Sequence, residues 1–489
     1  MPNQNKKFYI TTSIAYTNAP PHIGFAQEVV QADALARYHR LLGENVFFLT
    51  GTDENGAKVA KAAEEAGQSP KEFVDEISKK FKALRDILNL SNDDFIRTTD
   101  QKRHWPTVKN IWLELKENGD IYKKKYKGLY CVGCEAFVKE NDLVDGKCPI
   151  HEKNPEVIEE ENYFFCLSKY QNQLKKIIRA EKIKIIPETR KNELLSFITQ
   201  GLEDVSCSRS REKLGWGIPV PKDNTQTIYV WLEALVNYLS ALNHTTNGDK
   251  FKKFWPSDVH CIGKDIFIRF HGSLWPAMLL SLKLDLPKTI FVHGFITVNG
   301  QKMSKSLGNV IDPLELVKKY DTDPVRYFLL REIPPTEDGD FTYQKFEARY
   351  NSDLASGLGN LVARVLTMAK KLKTQNSKLK TTTKNLKLKK EIDNTWGKYK
   401  RALDEFKFNE ALISIWELIS FCDRYIEKER PWEEKDYNPL TTSQEEVIGN
   451  LLFAISNIAE MLQPFLPKTS EKIFKQLKTK EAKPLFPRI

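Results

Sequence analysis

Apolar and polar positions change their period twice along this chain, and the changes mark its parts. Phe8-Tyr9-Ile10-Thr11-Thr12 is a short apolar run that predicts a buried strand. Asn18-Ala19-Pro20-Pro21-His22-Ile23-Gly24 then opens a segment in which Ala26, Val30, Ala34 and Leu41 recur at helical spacing, with Gly43 placed to end the helix. Val46 to Leu49 predicts a second buried strand, so the order is that of a right-handed βαβ unit. A second unit is predicted from Val259-His260-Cys261-Ile262, a helical stretch over 267–282 and a strand from Thr289 that ends at His293. The alternation is interrupted near Tyr122 and resumes around Val205. After Asp312-Pro313 the period becomes helical. From Tyr350 onward strand signals nearly vanish, with Leu358, Leu361, Val362 and Val365 in one apolar stripe and Ile413, Trp416, Leu418 and Ile419 in another. The expected fold is α/β: a Rossmann-like parallel-sheet domain (1–121 and 205–325) split by an insertion (122–204), a linking segment (326–350), then an all-α helical bundle (351–489).

Composition adds limits. With 489 residues, 41% hydrophobic content and nine Trp, several substantial cores are affordable. No apolar run has spanning length, and the first residues pass directly into a strand, so no membrane association and a cytoplasmic location are expected. The net charge of +10, mostly lysine, suits an anionic partner such as nucleic acid, although a generally lysine-rich proteome gives the same number. The Lys-rich stretch 370–390 reads as an exposed loop or helix connector.

The seven cysteines are not spaced like a secreted disulfide framework. Cys131 and Cys134 form one chelating pair, Cys148 and His151 another. Three thiolates and one imidazole make a closed tetrahedral set suited to one structural Zn²⁺. Cys166, Cys207, Cys261 and Cys422 lack such spacing and are expected to be buried thiols.

Two further stretches point to phosphate chemistry. Lys302-Met303-Ser304-Lys305-Ser306 sets two lysines and two hydroxyls between Gly300 and Gly308, a cationic clamp suited to a triphosphate that gains charge as it reacts. His22 stands at the mouth of the first helix, where backbone N–H groups and the helix dipole favour phosphate.

Together these stretches resemble the two signatures of the class I aminoacyl-tRNA synthetases. Thr50-Gly51-Thr52-Asp53-Glu54, Tyr229-Val230-Trp231-Leu232-Glu233-Ala234, Ile262-Gly263-Lys264-Asp265-Ile266 and the Lys302-to-Ser306 string look, more narrowly, like the methionyl-tRNA synthetases, from about Lys7 to the C-terminus. The resemblance implies activation of L-methionine by ATP, with Mg²⁺ accompanying the nucleotide, and transfer of the methionyl group to the terminal adenosine of tRNA(Met), including the initiator. It assigns catalysis to His22, Lys302 and Lys305, and ATP binding to these with Gly24, Gly263, Asp265 and Ser304. Methionine falls to Ile14, Tyr16, Asp53, Trp231, Tyr238, Ile266 and His271, with Asp53 on the ammonium and with His271 and the Tyr238 hydroxyl as weak donors to sulfur. Glu28 and Arg209 are orienting residues, Arg209 toward Asp53. Asn360, Arg364 and Trp432 would read the anticodon, the zinc knuckle would lie in the insertion, and a monomer without the dimerising module of some relatives is expected. The pattern departs in four places: Phe25 replaces the second signature histidine, Asn55 a histidine, Asp423 an asparagine, and His271 stands one residue later than the family spacing. Phe25 suggests an alternative, a catalytically weak tRNA-binding relative; a class I synthetase for another apolar amino acid is the other.

Overall fold

The protein is described from a computed structural model covering residues 6–131, 136–138, 140–149, 152–246, 248–304, 307–371, 385–433 and 444–489. Its contacts divide it into two compact units: one of Met1–Pro21, Leu42–Arg85 and Ser91–His293, the other of His22–Leu41, Asp86–Leu90 and Gly294–Ile489.

The first unit is built on a six-stranded sheet. Its strands, in chain order, are β1 (Lys7–Tyr16), β2 (Asn45–Asp53), β3 (Asp94–Arg97), β4 (Lys184–Ile186), β5 (Val259–Gly263) and β6 (Thr289–His293). They lie in the order β3-β2-β1-β5-β6-β4, all parallel. Parallel strands covered on both faces read as continuous apolar runs, which is why Phe8 to Ile10 and Val46 to Leu49 were visible in the sequence. β1 and β2 outrun those apolar cores by several residues, and polar positions such as Thr11, Thr12, Thr50 and Thr52 are buried along with them. β4 comes from the segment read as insertion and completes the sheet at its edge. The rest of that segment carries an antiparallel sheet in which Ile121–Cys131 and Glu156–Phe165 pair over ten positions.

The second unit is mostly helical. It contains the helix Ile23–Leu41, the helix Thr322–Arg331, which runs straight through position 326, and the helices Asn360–Lys371, Leu386–Asp404, Phe408–Glu429, Gln444–Leu462 and Pro467–Thr479. The stripe Leu358, Leu361, Val362 and Val365 is fully buried. In the helix Phe408–Glu429 the stripe is shifted from expectation: Leu412, Ile415, Leu418, Ile419 and Cys422 are buried, while Ile413 and Trp416 are half-buried. The Lys-rich stretch is also partly corrected, since Leu386 starts a helix that buries Leu388 and Ile392; residues 372–384 lie outside the described residues. Cys166 is half-buried rather than buried. No described helix is long and apolar enough to cross a membrane.

One residue ties this unit together. Arg326 is fully buried and donates from Nε to Phe465 O at 2.8 Å, from Nη2 to Pro464 O at 2.9 Å and from Nη1 to Leu88 O at 3.1 Å. Nη1 also faces Asp33 Oδ2 at 2.8 Å, and Asp33, itself fully buried, takes a second bond from Arg37 Nε at 2.8 Å. Removing Arg326 leaves the buried Asp33 with Arg37 alone and takes the donor from three backbone carbonyls. Arg326→Met is therefore expected to lower unfolding free energy by about 3–5 kcal/mol. Denaturant titration of the two proteins measures this, and a loss below about 1 kcal/mol contradicts it.

Candidate functional site

In the first unit the candidate residues gather at the carboxyl ends of the parallel strands, where open α/β sheets place their ligands. β1 and β2 end in register with Tyr16 opposite Asp53, and β5 and β6 end with Gly263 opposite His293. Gly51 is forced by this packing, since a Cβ there would fall 2.1 Å from Ile96 O. Asp53 is buried at the last position of β2. Its backbone carbonyl accepts from Thr17 N at 2.9 Å, and Thr98 Oγ1 lies 3.5 Å from its Oδ1. The neighbouring Glu54 is held by Arg97 Nε at 2.6 Å, by Thr52 at 2.7 Å and by Thr99. Its carboxylate is thus spoken for by the scaffold.

The expected apolar wall is assembled from three separate stretches of chain, 14–16, 231–238 and 266–271. Tyr238 and His271 are buried, while Ile14, Trp231 and Ile266 are part-buried against the same core cluster; Tyr16 is half-buried. His271 lies in a π-helical stretch, Phe267–Leu274, whose wider turn accommodates one more residue than an α-turn. His271 N accordingly bonds Ile266 O, five residues back, at 3.3 Å. His271 Nδ1 is 3.1 Å from Ile266 O, an atom that only accepts, so Nδ1 carries the ring hydrogen. Nε2 lies 2.8 Å from the Tyr238 hydroxyl. Both hydrogens expected to point at sulfur are engaged with protein here. Trp231 stacks on Phe270 at 3.7 Å, a partner the sequence reading missed although it adjoins His271. His260, also missed, lies 4.3 Å from the Tyr238 ring and bonds Thr11, and burial together with His271 holds it well below the ordinary histidine pKa.

Arg209 is buried, donates through Nη1 to Ser206 Oγ and Ser208 O at 2.7 Å each, and packs over the Tyr229 ring at 4.5 Å. Asp265 is exposed just past β5, and a Cβ on Gly263 would meet its Oδ1 at 2.8 Å.

The two signature stretches meet inside the second unit. Ile23 N, at the start of the helix Ile23–Leu41, donates to Ile311 O at 3.0 Å, and a Cβ on Gly24 would lie 3.6 Å from Met303 Cε. The same Cβ would press to 2.9 Å on His22 Cε1, so only glycine lets the imidazole fold back over the helix start. Gly24 N donates to His22 Nδ1 at 3.1 Å. That nitrogen is therefore bare, burial keeps the ring's pKa low, and the neutral ring holds its hydrogen on Nε2. Glu28 is buried farther along the helix.

The described residues on either side of Lys305 and Ser306 make a defined set of local bonds. Asn299 and Gly300 both have positive φ, 51° and 74°, which makes Val298-Asn299-Gly300-Gln301 a tight two-residue hairpin with Lys302 on its returning strand. Asn309 Oδ1 accepts from Ser304 N at 2.8 Å, and its Nδ2 donates to Lys302 O at 3.2 Å. Lys302 is exposed; Lys305 and Ser306 lie outside the described residues.

The three remaining candidates also fall in the second unit. Asn360 and Arg364 stand one turn apart on the helix Asn360–Lys371, with Asn360 exposed. Arg364 Nη2 donates to Glu427 Oε1 at 2.6 Å, and Nη1 is 3.9 Å from Asp423. The helix bearing both carboxylates ends with Arg430 in the left-handed region at φ 42°, and Trp432, two residues on, is 49% exposed. A tryptophan that exposed is not core. Of the four proposed metal ligands, Cys131 and Cys148 are buried thiols, and Cys134 and His151 lie outside the described residues.

Comparison with known proteins follows this geometry. Residues 8–152 and 134–366 match the family model described as tRNA synthetases class I (M), and residues 385–486 match the anticodon-binding domain of tRNA ligase. The chain is 45% identical over 486 residues to the methionine–tRNA ligase of Thermotoga maritima, covering 97% of this chain and 76% of that one. It is 40% identical to that of Bacillus subtilis, over 100% and 79%. Among solved structures, the Mycobacterium tuberculosis methionyl-tRNA synthetase in complex with methionyl-adenylate superposes with a TM-score of 0.90 at 36% identity, covering 99% of this chain and all of that one.

The hydrogen-bond pattern around His22 sets its titration. Nitrogen-resolved NMR should find it protonated on Nε2 and titrating below the ordinary histidine value; a ring protonated on Nδ1, or one titrating above that value, contradicts the geometry.

Proposed function

The chain belongs to the methionyl-tRNA synthetases of class I, and from that premise we propose how its residues divide the work. It is an ATP-dependent ligase that activates methionine as the adenylate and passes the methionyl group to tRNA. In the first step the methionine carboxylate attacks the α-phosphate of ATP and pyrophosphate leaves. No protein acid or base is needed, because nucleophile and leaving group are already anionic. What the step needs is alignment and positive charge where the phosphates gain negative charge.

The observation that supports this reading is the meeting of the two signature stretches, with Ile23 N donating to Ile311 O and Gly24 beside Met303. His22, through its Nε2 hydrogen, holds the phosphate region, and Lys302 and Lys305 serve the departing pyrophosphate. Gly24, Gly263, Asp265 and Ser304 complete the nucleotide contacts, and Mg²⁺ carried by the triphosphate neutralises part of its charge. Phe25 removes one imidazole donor from the signature, which leaves His22 and the lysines to supply the phosphate contacts.

Asp53 receives the methionine ammonium, and Arg209 and Glu28 orient the groups around it. Ile14, Tyr16, Trp231, Tyr238, Ile266 and His271 take the thioether chain. Since the Tyr238 and His271 hydrogens are engaged, selectivity for sulfur rests on ring faces and polarizability more than on donation. Asn360, Arg364 and Trp432 read the anticodon, with Arg364 exchanging Glu427 for a base and Trp432 offering a stacking face. One structural Zn²⁺ is held by Cys131, Cys134, Cys148 and His151; the two described thiols are buried, as ligands of a closed site are. A cytoplasmic monomer acting on tRNA(Met), the initiator included, completes the proposal.

Three outcomes are expected. Lys305→Ala should retain methionine binding while slowing methionine-dependent pyrophosphate exchange by about 100-fold or more, and exchange at the parent rate would remove the lysine from the chemistry. Trp432→Ala should leave exchange untouched and weaken tRNA charging by about 1–3 kcal/mol, whereas normal charging refutes the anticodon assignment. Metal analysis of chelator-free protein should return about one zinc per chain, lost in Cys134→Ser; zinc-free protein of full stability contradicts the knuckle.

A further inference from the structure

A buried polar chain in the first unit has no part in the scheme above. Glu233, in the helix Val230–Leu235, is fully buried two residues after Trp231. Its Oε1 accepts from Asn55 Nδ2 at 2.8 Å, and Asn55 is two residues after Asp53. Its Oε2 is 2.8 Å from His104 Nε2, and His104, also fully buried, opens the helix His104–Glu117. His104 Nδ1 is 3.0 Å from Ser240 Oγ, whose own hydrogen goes to Val236 O at 3.1 Å. Thr98 closes the figure: its hydroxyl accepts from Glu54 N at 2.8 Å and lies 3.4 Å from Asn55 Nδ2 and 3.5 Å from Asp53 Oδ1.

The hydrogens can be placed from these partners. Ser240 donates to Val236, so it accepts from His104 Nδ1–H. Burial holds the His104 pKa down at about 3 and raises that of Glu233, with Glu54 adding repulsion. The imidazole is then neutral with a bare Nε2, and Glu233 is a neutral acid that donates to it while accepting from Asn55. Asn55, Glu233, His104 and Ser240 are then bonded to one another without a charge among them, an arrangement in which a buried network costs little.

We propose that Glu233 is a positioning residue for methionine binding, fastening the Asp53-bearing turn through Asn55 and the Trp231-bearing helix through its own backbone to the fixed end of the helix that starts at His104. The inference rests on the reading of Asp53 and Trp231 as methionine residues. A carboxylic acid suits the task because one planar group offers an acceptor and a donor in opposite directions, and a glutamine does the same.

The test is steady-state pyrophosphate exchange, with KM measured separately for methionine and ATP. Glu233→Gln should keep both near the parent values. Asn55→Ala, which removes the tie yet leaves Glu233 bonded to His104, should raise the methionine KM by about tenfold or more with the ATP KM little changed, as should Glu233→Ala if it folds. An Asn55→Ala enzyme with the parent methionine KM, or a Glu233→Gln enzyme as impaired as the alanine variants, overturns the proposal. So does an equal rise in both KM values with a lower melting temperature, the mark of a merely structural role. Asp53→Ala run alongside separates the two levels: if it leaves the methionine KM unchanged, the underlying reading fails, and if it raises the KM while Asn55→Ala does not, only the role of Glu233 fails.

Discussion

A guanidinium sealed away from water constrains the second unit at a junction of three segments. Arg326 spends its hydrogens on three backbone carbonyls and the Asp33 carboxylate, so it joins the helix Ile23–Leu41, the Leu88 turn and the Pro464–Phe465 turn at one point. Burying a charge this completely is costly, and the cost is offset only if every acceptor stays in place. The fork geometry of arginine makes the demand directional. The helix Ile23–Leu41, which His22 precedes and Gly24 enters, is thereby held at Asp33 to the elements around it.

The same economy runs through the proposed chemistry. Adenylate formation by carboxylate attack needs no proton transfer, and burial holds His22, His104 and His260 toward the neutral form. His22 is bare at Nδ1, His260 and His104 are held uncharged by burial, and His271 has its hydrogen on Ile266. In the proposed division of work positive charge falls to lysines, and neutral rings to shape and orientation. The π-turn at Phe267–Leu274 carries His271 to within 2.8 Å of the Tyr238 hydroxyl.

Much of this was legible in the sequence because parallel sheets and helix starts leave strong local marks. The apolar runs at Phe8 and Val46 are legible since both sheet faces are covered, and the signature stretches since glycine and histidine are placed by backbone geometry. What stayed hidden was set by distant partners. β4, three residues long, is too short to carry a period, yet it closes the sheet. The buried face of Phe408–Glu429 was misplaced by about one residue because Trp416 satisfies its Nε1 on Asp353 O and stays part-exposed. Phe270 gave no signal beyond adjacency to His271, whereas Glu233 did: a charged residue inside Tyr229-Val230-Trp231-Leu232-Glu233-Ala234 has to find partners or lose its charge.

The central claim is that the Arg326 fork, and not merely its charge, sets the helix that His22 precedes. Arg326→Lys keeps the charge and replaces the fork by a single nitrogen, so segment-resolved hydrogen exchange on that variant is the most direct measurement. The account predicts faster exchange in the helix 23–41 and in the end of the helix 444–462 together, with the first unit unchanged. Loss of protection confined to the helix 322–331 around the substitution would contradict it.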